Sequence, residues 1–312
     1  MTSTGPAIAV RTLTRRFGET VAVDALSFDV ARGELFGIVG PDGAGKTTTL
    51  RMLAGVLPPT SGDAHVEGVS IASEPERVKP YIAYMAQRFG LYEDLTVREN
   101  IEFYADLYRV SRQERRERLP RLWHFSRLEP FQHRLAGQLS GGMKQKLSLC
   151  CALIHHPRVL LLDEPTFGVD PISRRDLWLI LHEMVAEGTT IVVSTSYLDE
   201  AERCDRVALL DHGHVLALDS PLALQRAFAA PLVAIRTDRP RRARDVLRTL
   251  PGVRSAVLFG DAVHAVLAEE GDTTVLVDAL TAAGLHVLDA QPIPASLEDV
   301  FIDRVARQEQ AA

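Results

Sequence analysis

The stretch Gly40-Pro41-Asp42-Gly43-Ala44-Gly45-Lys46-Thr47 fits the phosphate-loop pattern GxxxxGK[ST], and its reading decides the fold. Before it runs the apolar segment ELFGIVG, which reads as a buried strand; after it runs TTTLRMLAG, which reads as a helix. Gly43 and Gly45 let the backbone turn tightly, so that its N–H groups can line a phosphate. The helix opening near Lys46 aims its positive dipole end at the same anion. In such a loop the lysine, Lys46, reaches the β and γ phosphates, and the hydroxyl of Thr47 faces Mg²⁺.

Working outward, Val159-Leu-Leu-Leu-Asp163-Glu164 is a continuous apolar run suited to a central strand and ends in two carboxylates. Asp163 at the strand tip can hold magnesium, and Glu164 can polarise an attacking water. A third motif, Leu139-Ser140-Gly141-Gly142-Met143-Lys144-Gln145, opens a helix. Its apolar positions Met143, Leu147, Cys150, Cys151 and Ile154 keep helical spacing until Pro157. A Ser-Gly-Gly at a helix start is a second anion site. The phosphate loop already holds one side of a nucleotide, so this second site suits the γ-phosphate of an ATP carried by another subunit.

With the phosphate loop, the Ser-Gly-Gly motif and the carboxylate-ending strand following one another in that order along the chain, residues 1 to about 229 resemble the nucleotide-binding domain of ABC transporters. The resemblance implies a P-loop α/β domain over 1–230, with a RecA-like core and a helical signature subdomain, and an ATPase using ATP and Mg²⁺. It extends the nucleotide contacts over Gly40, Pro41, Asp42, Gly43, Ala44, Gly45, Lys46, Thr47 and Thr48, and assigns Ser140, Gly141, Gly142 and Gln145 to the signature. Phe17 matches the aromatic that stacks on adenine. Gln87 matches the glutamine that contacts Mg²⁺ and the attacking water and senses a membrane subunit. Asp170 matches the loop that crosses the dimer interface. The run GLYEDLTVRENIEFYADLY and the ending ASLEDVFI resemble drug- and polyketide-export ATPases. Their membrane subunits are separate chains.

One position departs from the family. Where a switch histidine follows the strand, this chain carries Ser196 in TIVVSTSYLDEAE. Serine is shorter than histidine and carries no positive charge. Hydrolysis at the chain's own phosphate loop is therefore expected to be impaired, which suits the degenerate half of an asymmetric ATPase pair whose other half is a second nucleotide-binding domain.

After Ala229-Ala230-Pro231 the units become shorter: LVAIRT, RRARDVLRTL, SAVLFG, AVHAVLA, TTVLVDALTAAG and LHVLD. Their order predicts a small split βαβ, ferredoxin-like α+β domain over 231–312. Nothing in it has catalytic spacing, and Arg239, Arg241, Arg242 and Arg244 read as a solvated helix start.

Composition excludes several classes. Hydrophobic residues at 46% and charged residues at 24% are those of a folded soluble chain. A net charge of −6 argues against nucleic acid as partner, and the arginines from Arg112 to Arg121 are interleaved with glutamates as on a solvated helix face. Cys150, Cys151 and Cys204 form no CxxC pair and read as buried thiols. His212 and His214 flank a turn glycine without further ligands nearby, so no metal site is expected there. Tyr92, Tyr104 and Tyr108 read as helix packing. The start of the chain lacks a secretory pattern, and the apolar stretches LSLCCALI and VLLL stop at His155 and Asp163, short of the roughly 20 residues of a membrane helix. The expected location is the cytoplasmic face of the membrane, reached by docking on permease subunits. Two other readings are a soluble ATPase acting on nucleic acid or the ribosome, disfavoured by charge and by the lack of a coiled-coil insertion, and an ATP-binding module that barely hydrolyses.

Overall fold

The computed structural model describes residues 5–87, 90–269 and 273–311. The chain forms two compact units, divided after Ser220.

In the first unit β1 (Ile8–Phe17) and β2 (Thr20–Val30) form an antiparallel pair, followed by β3 (Leu35–Val39), the phosphate loop and α1 (Lys46–Leu53). Next come β4 (Ser61–Val66), β5 (Val69–Ser70), α2 (Pro75–Val78) and β6 (Ile82–Met85). Three helices follow, α3 (Val97–Leu107), α4 (Arg112–Ser126) and α5 (Gly141–Leu153). The chain then returns through β7 (Val159–Asp163), α6 (Pro171–Ala186), β8 (Thr190–Thr195), α7 (Leu198–Ala201), β9 (Arg206–Asp211) and β10 (His214–Asp219).

The strands build a four-stranded antiparallel sheet, β2-β1-β4-β5, and a six-stranded sheet, β10-β9-β3-β8-β7-β6. The larger sheet is parallel except at its β10 edge. Every residue of β3, β7 and β8 is buried, as expected for central parallel strands covered on both faces. This order brings the ends of β3, β7 and β8 together, although the three strands are far apart in sequence.

Helices α3, α4 and α5 have an apolar core of their own, including Val97, Ile101, Leu122, Leu147, Cys150 and Ile154. Capping boxes start α3 at Thr96 with Glu99 and α4 at Ser111 with Glu114. The arginines of α4 are less uniformly solvated than their spacing suggests: Arg118 donates to the Ile154 carbonyl at 2.9 Å, joining α4 to the end of α5. All three cysteines are buried and unbridged. Burial pushes the Cys150 thiol up to about 12.

Helix α7 is a single turn. It ends early because Asp205 is pinned to β3: its carboxylate accepts from Leu35 N at 2.8 Å and its own N–H donates to Leu35 O at 2.9 Å.

The second unit contains α8 (Pro221–Arg226), β11 (Leu232–Thr237), α9 (Pro240–Leu247), β12 (Val253–Phe259), β13 (Ala262–Leu267), α10 (Thr273–Ala282), β14 (Val287–Pro292) and α11 (Leu297–Ala311). Its antiparallel sheet, β12-β13-β11-β14, has the ferredoxin-like strand order. The unit begins before the break at Pro231, because α8 buries Pro221 and Leu224 and packs with α11.

Candidate nucleotide-binding site

The phosphate loop joins β3 to α1, and its shape needs glycine at two kinds of position. Gly45 sits at φ 98° as the N-cap of α1, a left-handed conformation that side chains resist. At Gly40 the obstacle is space, since a Cβ there would stand 2.1 Å from the Leu210 carbonyl oxygen of β9. A cleft of about 270 Å³ opens over the loop, lined by Asp42 to Thr48 and by Ala22, Gln87 and Glu164.

Lys46 is 4% exposed and donates to the carbonyls of Gly40 at 2.8 Å and Pro41 at 3.0 Å. Its Nζ also donates to Ser196 Oγ at 3.0 Å and lies 3.1 Å from Glu164 Oε1. Ser196 in turn donates to Glu164 Oε1 at 2.7 Å. Gln87 Nε2 donates to the other carboxylate oxygen, Oε2, at 3.4 Å. Glu164 adopts φ 46°, a strained backbone held by hydrogen bonds from its N–H to Ser194 O at 3.2 Å and Ser194 Oγ at 3.0 Å.

Asp163 is buried at the tip of β7 and accepts three hydroxyl hydrogen bonds. Thr47 Oγ1 donates to its Oδ1 at 2.9 Å, Ser194 Oγ to the same atom at 2.8 Å, and Tyr84 OH to Oδ2 at 3.2 Å. Burial, reinforced by the Asp163 charge, pushes the Tyr84 phenol up to about 12, so it stays a donor at neutral pH. A loop hydroxyl and a buried carboxylate 2.9 Å apart are an oxygen donor set of the type Mg²⁺ takes alongside phosphate and water.

The signature residues lie outside the lining of this cleft and meet a different partner. Ser140 caps α5, accepting from Met143 N at 3.3 Å. Asp170 caps α6, accepting from Ile172 N at 3.1 Å and Ser173 N at 2.9 Å. These bonds, the Ser173 backbone contact foremost, hold the Asp170 carboxyl below its usual range. Gly142 packs flush on Ser173, so the two helix starts touch, and Gly141 faces Gly168 more loosely. Gln145 Oε1 is buried without a hydrogen-bond partner among the described residues. Phe17, at the end of β1, is exposed, carries the Arg15 guanidinium 4.6 Å over its ring, and is not among the residues lining the cleft.

Sequence reading passed over Ser194, Tyr84 and Glu200. A polar Ser194 straight after the apolar run of Ile191, Val192 and Val193 was the available signal for the first. Tyr84 and Glu200 gave none, since a tyrosine in a strand and a glutamate in a helix are ordinary.

A glycine loop at a helix start, a buried lysine and two adjacent carboxylates at the carboxyl ends of parallel strands define a P-loop nucleotide-binding domain. Residues 23–167 match the family model described as ABC transporter. The chain is 36% identical over 304 residues to the Nod factor export ATP-binding protein I of Rhizobium sp. (strain N33), covering 97% of this chain and 98% of that one. It is 43% identical over 300 residues to the probable multidrug ABC transporter ATP-binding protein YbhF of Escherichia coli (strain K12), covering 95% of this chain. The chain spans about half the length of that relative, 51%. Among solved structures, an ATP-binding subunit of an ABC transporter superposes with TM-score 0.65 at 33% identity, covering 71% of this chain and 93% of the other. The dimeric post-hydrolysis state of the ATP-binding cassette MJ0796 bound to ADP and Pi superposes with TM-score 0.62 at 27% identity, covering 68% and 98%. The chain belongs to the ABC transporter ATP-binding family, a family of ATPases. Among the described residues no helix is long and apolar enough to cross a membrane.

Proposed function

We propose that the chain is the ATP-binding and ATP-hydrolysing subunit that powers an ABC exporter of drugs or similar small amphipathic molecules. It docks on separate transmembrane permease subunits at the cytoplasmic face of the cell membrane and pairs with a second nucleotide-binding domain. The observation that carries this reading is the meeting of Lys46, Glu164 and Ser196 beside the phosphate loop. The names of the Escherichia coli and Rhizobium relatives support export. Partly exposed rings of Tyr92, Phe103 and Tyr108 offer a protein partner an aromatic surface close in sequence to Gln87.

In this reading the loop N–H groups, Thr48 and Lys46 bind the phosphates, and Phe17 stacks on the base. Mg²⁺, when bound by Thr47 and Asp163 with Gln87 nearby, neutralises phosphate charge. Glu164 orients the attacking water. Ser140, Gly141, Gly142 and Gln145 serve the nucleotide of the paired domain, with Asp170 at the interface. Each ATP is then contacted from both sides, which favours the closed pair; loss of the γ-phosphate contacts reopens it.

Ser196 sets the rate. It already occupies Glu164 Oε1 as an acceptor and offers no second positive charge at the γ-phosphate. The chain thus holds ATP at its own loop and hydrolyses it slowly, while its signature completes a competent site on the paired domain. The test is magnesium-dependent ATP hydrolysis by the purified chain and its Ser196→His and Glu164→Gln variants. Low wild-type turnover, raised by Ser196→His and abolished when Glu164→Gln is added, is the expected pattern. Brisk wild-type turnover that Ser196→His leaves unchanged would make a working homodimer the better description.

A further inference from the structure

Glu200 is 1% exposed and lies on α7, just beyond Ser196. Its Oε2 accepts from two hydroxyls, Thr166 Oγ1 at 2.8 Å and Thr195 Oγ1 at 2.9 Å, each on a residue that is also 1% exposed. Thr166 follows Glu164 by two positions. Thr195 precedes Ser196 by one, and its Oγ1 also accepts from Tyr197 N at 3.0 Å, so the backbone is tied on both sides of Ser196. One buried carboxylate therefore fixes the segments that carry both Glu164 and Ser196.

The other oxygen, Oε1, points to α6. Arg174 Nε stands 3.3 Å from it, an ion contact without hydrogen-bond alignment, and both buried atoms lack a hydrogen-bond partner among the described residues. A buried carboxylate and a partly exposed guanidinium held close but unaligned form a contact that a small shift of α6 can tighten or release. The Arg174 guanidinium also stacks 4.5 Å over the Tyr197 ring. Arg174 lies one turn into α6 from the Asp170 cap, and its neighbour Ser173 abuts Gly142.

We propose that Glu200 is a positioning residue: through Arg174 it makes the placement of α6, with its Asp170 cap and Gly142 contact, depend on nucleotide occupancy beside Lys46 and Ser196. The inference rests on the nucleotide-site reading above. The chain of contacts runs from Lys46 to Ser196, through Thr195 to Glu200, and across the ion pair to Arg174. It joins the half-site that holds this chain's nucleotide to the half-site offered to another.

The joint contains its own reporter. Trp178 lies one turn beyond Arg174 on α6, is 1% exposed, and has the Arg203 guanidinium, from the segment following α7, 5.9 Å over its ring. A shift of α6 against that segment changes the surroundings of the indole. The experiment is Trp178 emission from the full chain carrying Trp123→Phe, titrated with Mg-ATP, with affinity measured separately by a fluorescent ATP analogue. The expected result is an ATP-dependent change that Glu200→Gln reduces about fivefold or more while affinity stays unchanged. Glutamine keeps one carbonyl oxygen as the acceptor for Thr166 and Thr195 and replaces the charged oxygen facing Arg174 with a neutral amide NH2, which has no attraction for the guanidinium. Arg174→Met leaves the buried Glu200 carboxylate without its counter-charge but with both threonine hydroxyls, and gives the same loss; the double variant Arg174→Met with Glu200→Gln, which strands no charge, serves if either single variant does not fold. A Trp178 change that survives either substitution, or is absent from the parent while the analogue binds, overturns the proposal. Failure of the analogue to bind the parent overturns the nucleotide-site reading instead.

Discussion

Ser196 Oγ donates to Glu164 Oε1 at 2.7 Å while accepting from Lys46 Nζ at 3.0 Å, so a single hydroxyl bridges the loop lysine and the second carboxylate of the β7 tip. The bridge is short because β8 lies directly beside β7 in the sheet and Ser194 pairs with Asp163 across it. A longer imidazole at this position would have to displace either the lysine or the carboxylate contact.

Lys46→Met removes the charge-assisted hydrogen bonds that converge on Nζ and leaves Glu164 without its counter-charge. Loss of one ammonium contact to phosphate is expected to weaken ATP binding about 10- to 100-fold. Equilibrium titration with a fluorescent nucleotide checks it; unchanged affinity would place the phosphates elsewhere.

Gly141 and Gly142 are adjacent in sequence and differ in space. A Cβ on Gly142 would stand 2.3 Å from Ser173 Oγ and 2.4 Å from Ser173 Cβ, whereas at Gly141 the nearest atom is Gly168 O at 3.8 Å. Gly142→Ala should cost about 1–3 kcal/mol by forcing α5 from α6. Gly141→Ala should be neutral or slightly stabilising, since alanine is favoured over glycine in a helix by about 1 kcal/mol. Urea unfolding of the two variants separates them, and equal stabilities would refute the packing argument.

Asn100 is fully buried on α3 and holds the preceding loop by four hydrogen bonds. Its Nδ2 donates to the carbonyls of Tyr92 at 3.0 Å, Leu95 at 3.2 Å and Thr96 at 3.0 Å, and its Oδ1 accepts from Tyr92 N at 2.9 Å. Asn100→Ala removes all four bonds; the three carbonyls keep backbone N–H partners while the Tyr92 N–H loses its acceptor, and the variant should destabilise by about 1–3 kcal/mol. Thermal unfolding measures this, and Asn100→Asp, which keeps the acceptor and loses the donors, should recover little.

The second unit should lose stability in acid. Asp299 on α11 is buried, which pushes its carboxyl up, yet hydrogen bonds from His264 at 2.8 Å and from Ser296 Oγ at 2.6 Å and N at 2.9 Å outweigh burial and hold it below its usual range. A carboxyl lowered by folding contributes stability above its unfolded value of about 3.9, and that contribution disappears as pH falls through the lower folded value. Denaturation of the wild type should thus steepen below about pH 4, and Asp299→Asn should flatten that limb. Parallel pH profiles for the two proteins would exclude Asp299 as the cause.

The phosphate loop, the two carboxylates and the helix-opening Ser-Gly-Gly were legible in the sequence because each is local. A glycine that must turn, a strand buried on both faces and a capped helix start are all dictated by neighbours within a few residues. The same locality made the ferredoxin-like order of the second unit readable, since its strands and helices alternate at short spacing. Sequence also pointed to Ser196, as a departure from a family pattern. What the serine touches was settled only by the sheet order β3-β8-β7-β6, which sets Lys46 and Glu164 beside Ser196 and, from four segments of the chain, Thr47, Tyr84, Asp163 and Ser194 around one point. The early end of α7, the flush contact of Gly142 on Ser173 and the placement of Glu200 against Arg174 have the same origin. They depend on which surfaces meet when distant segments pack, and no spacing along the chain encodes that.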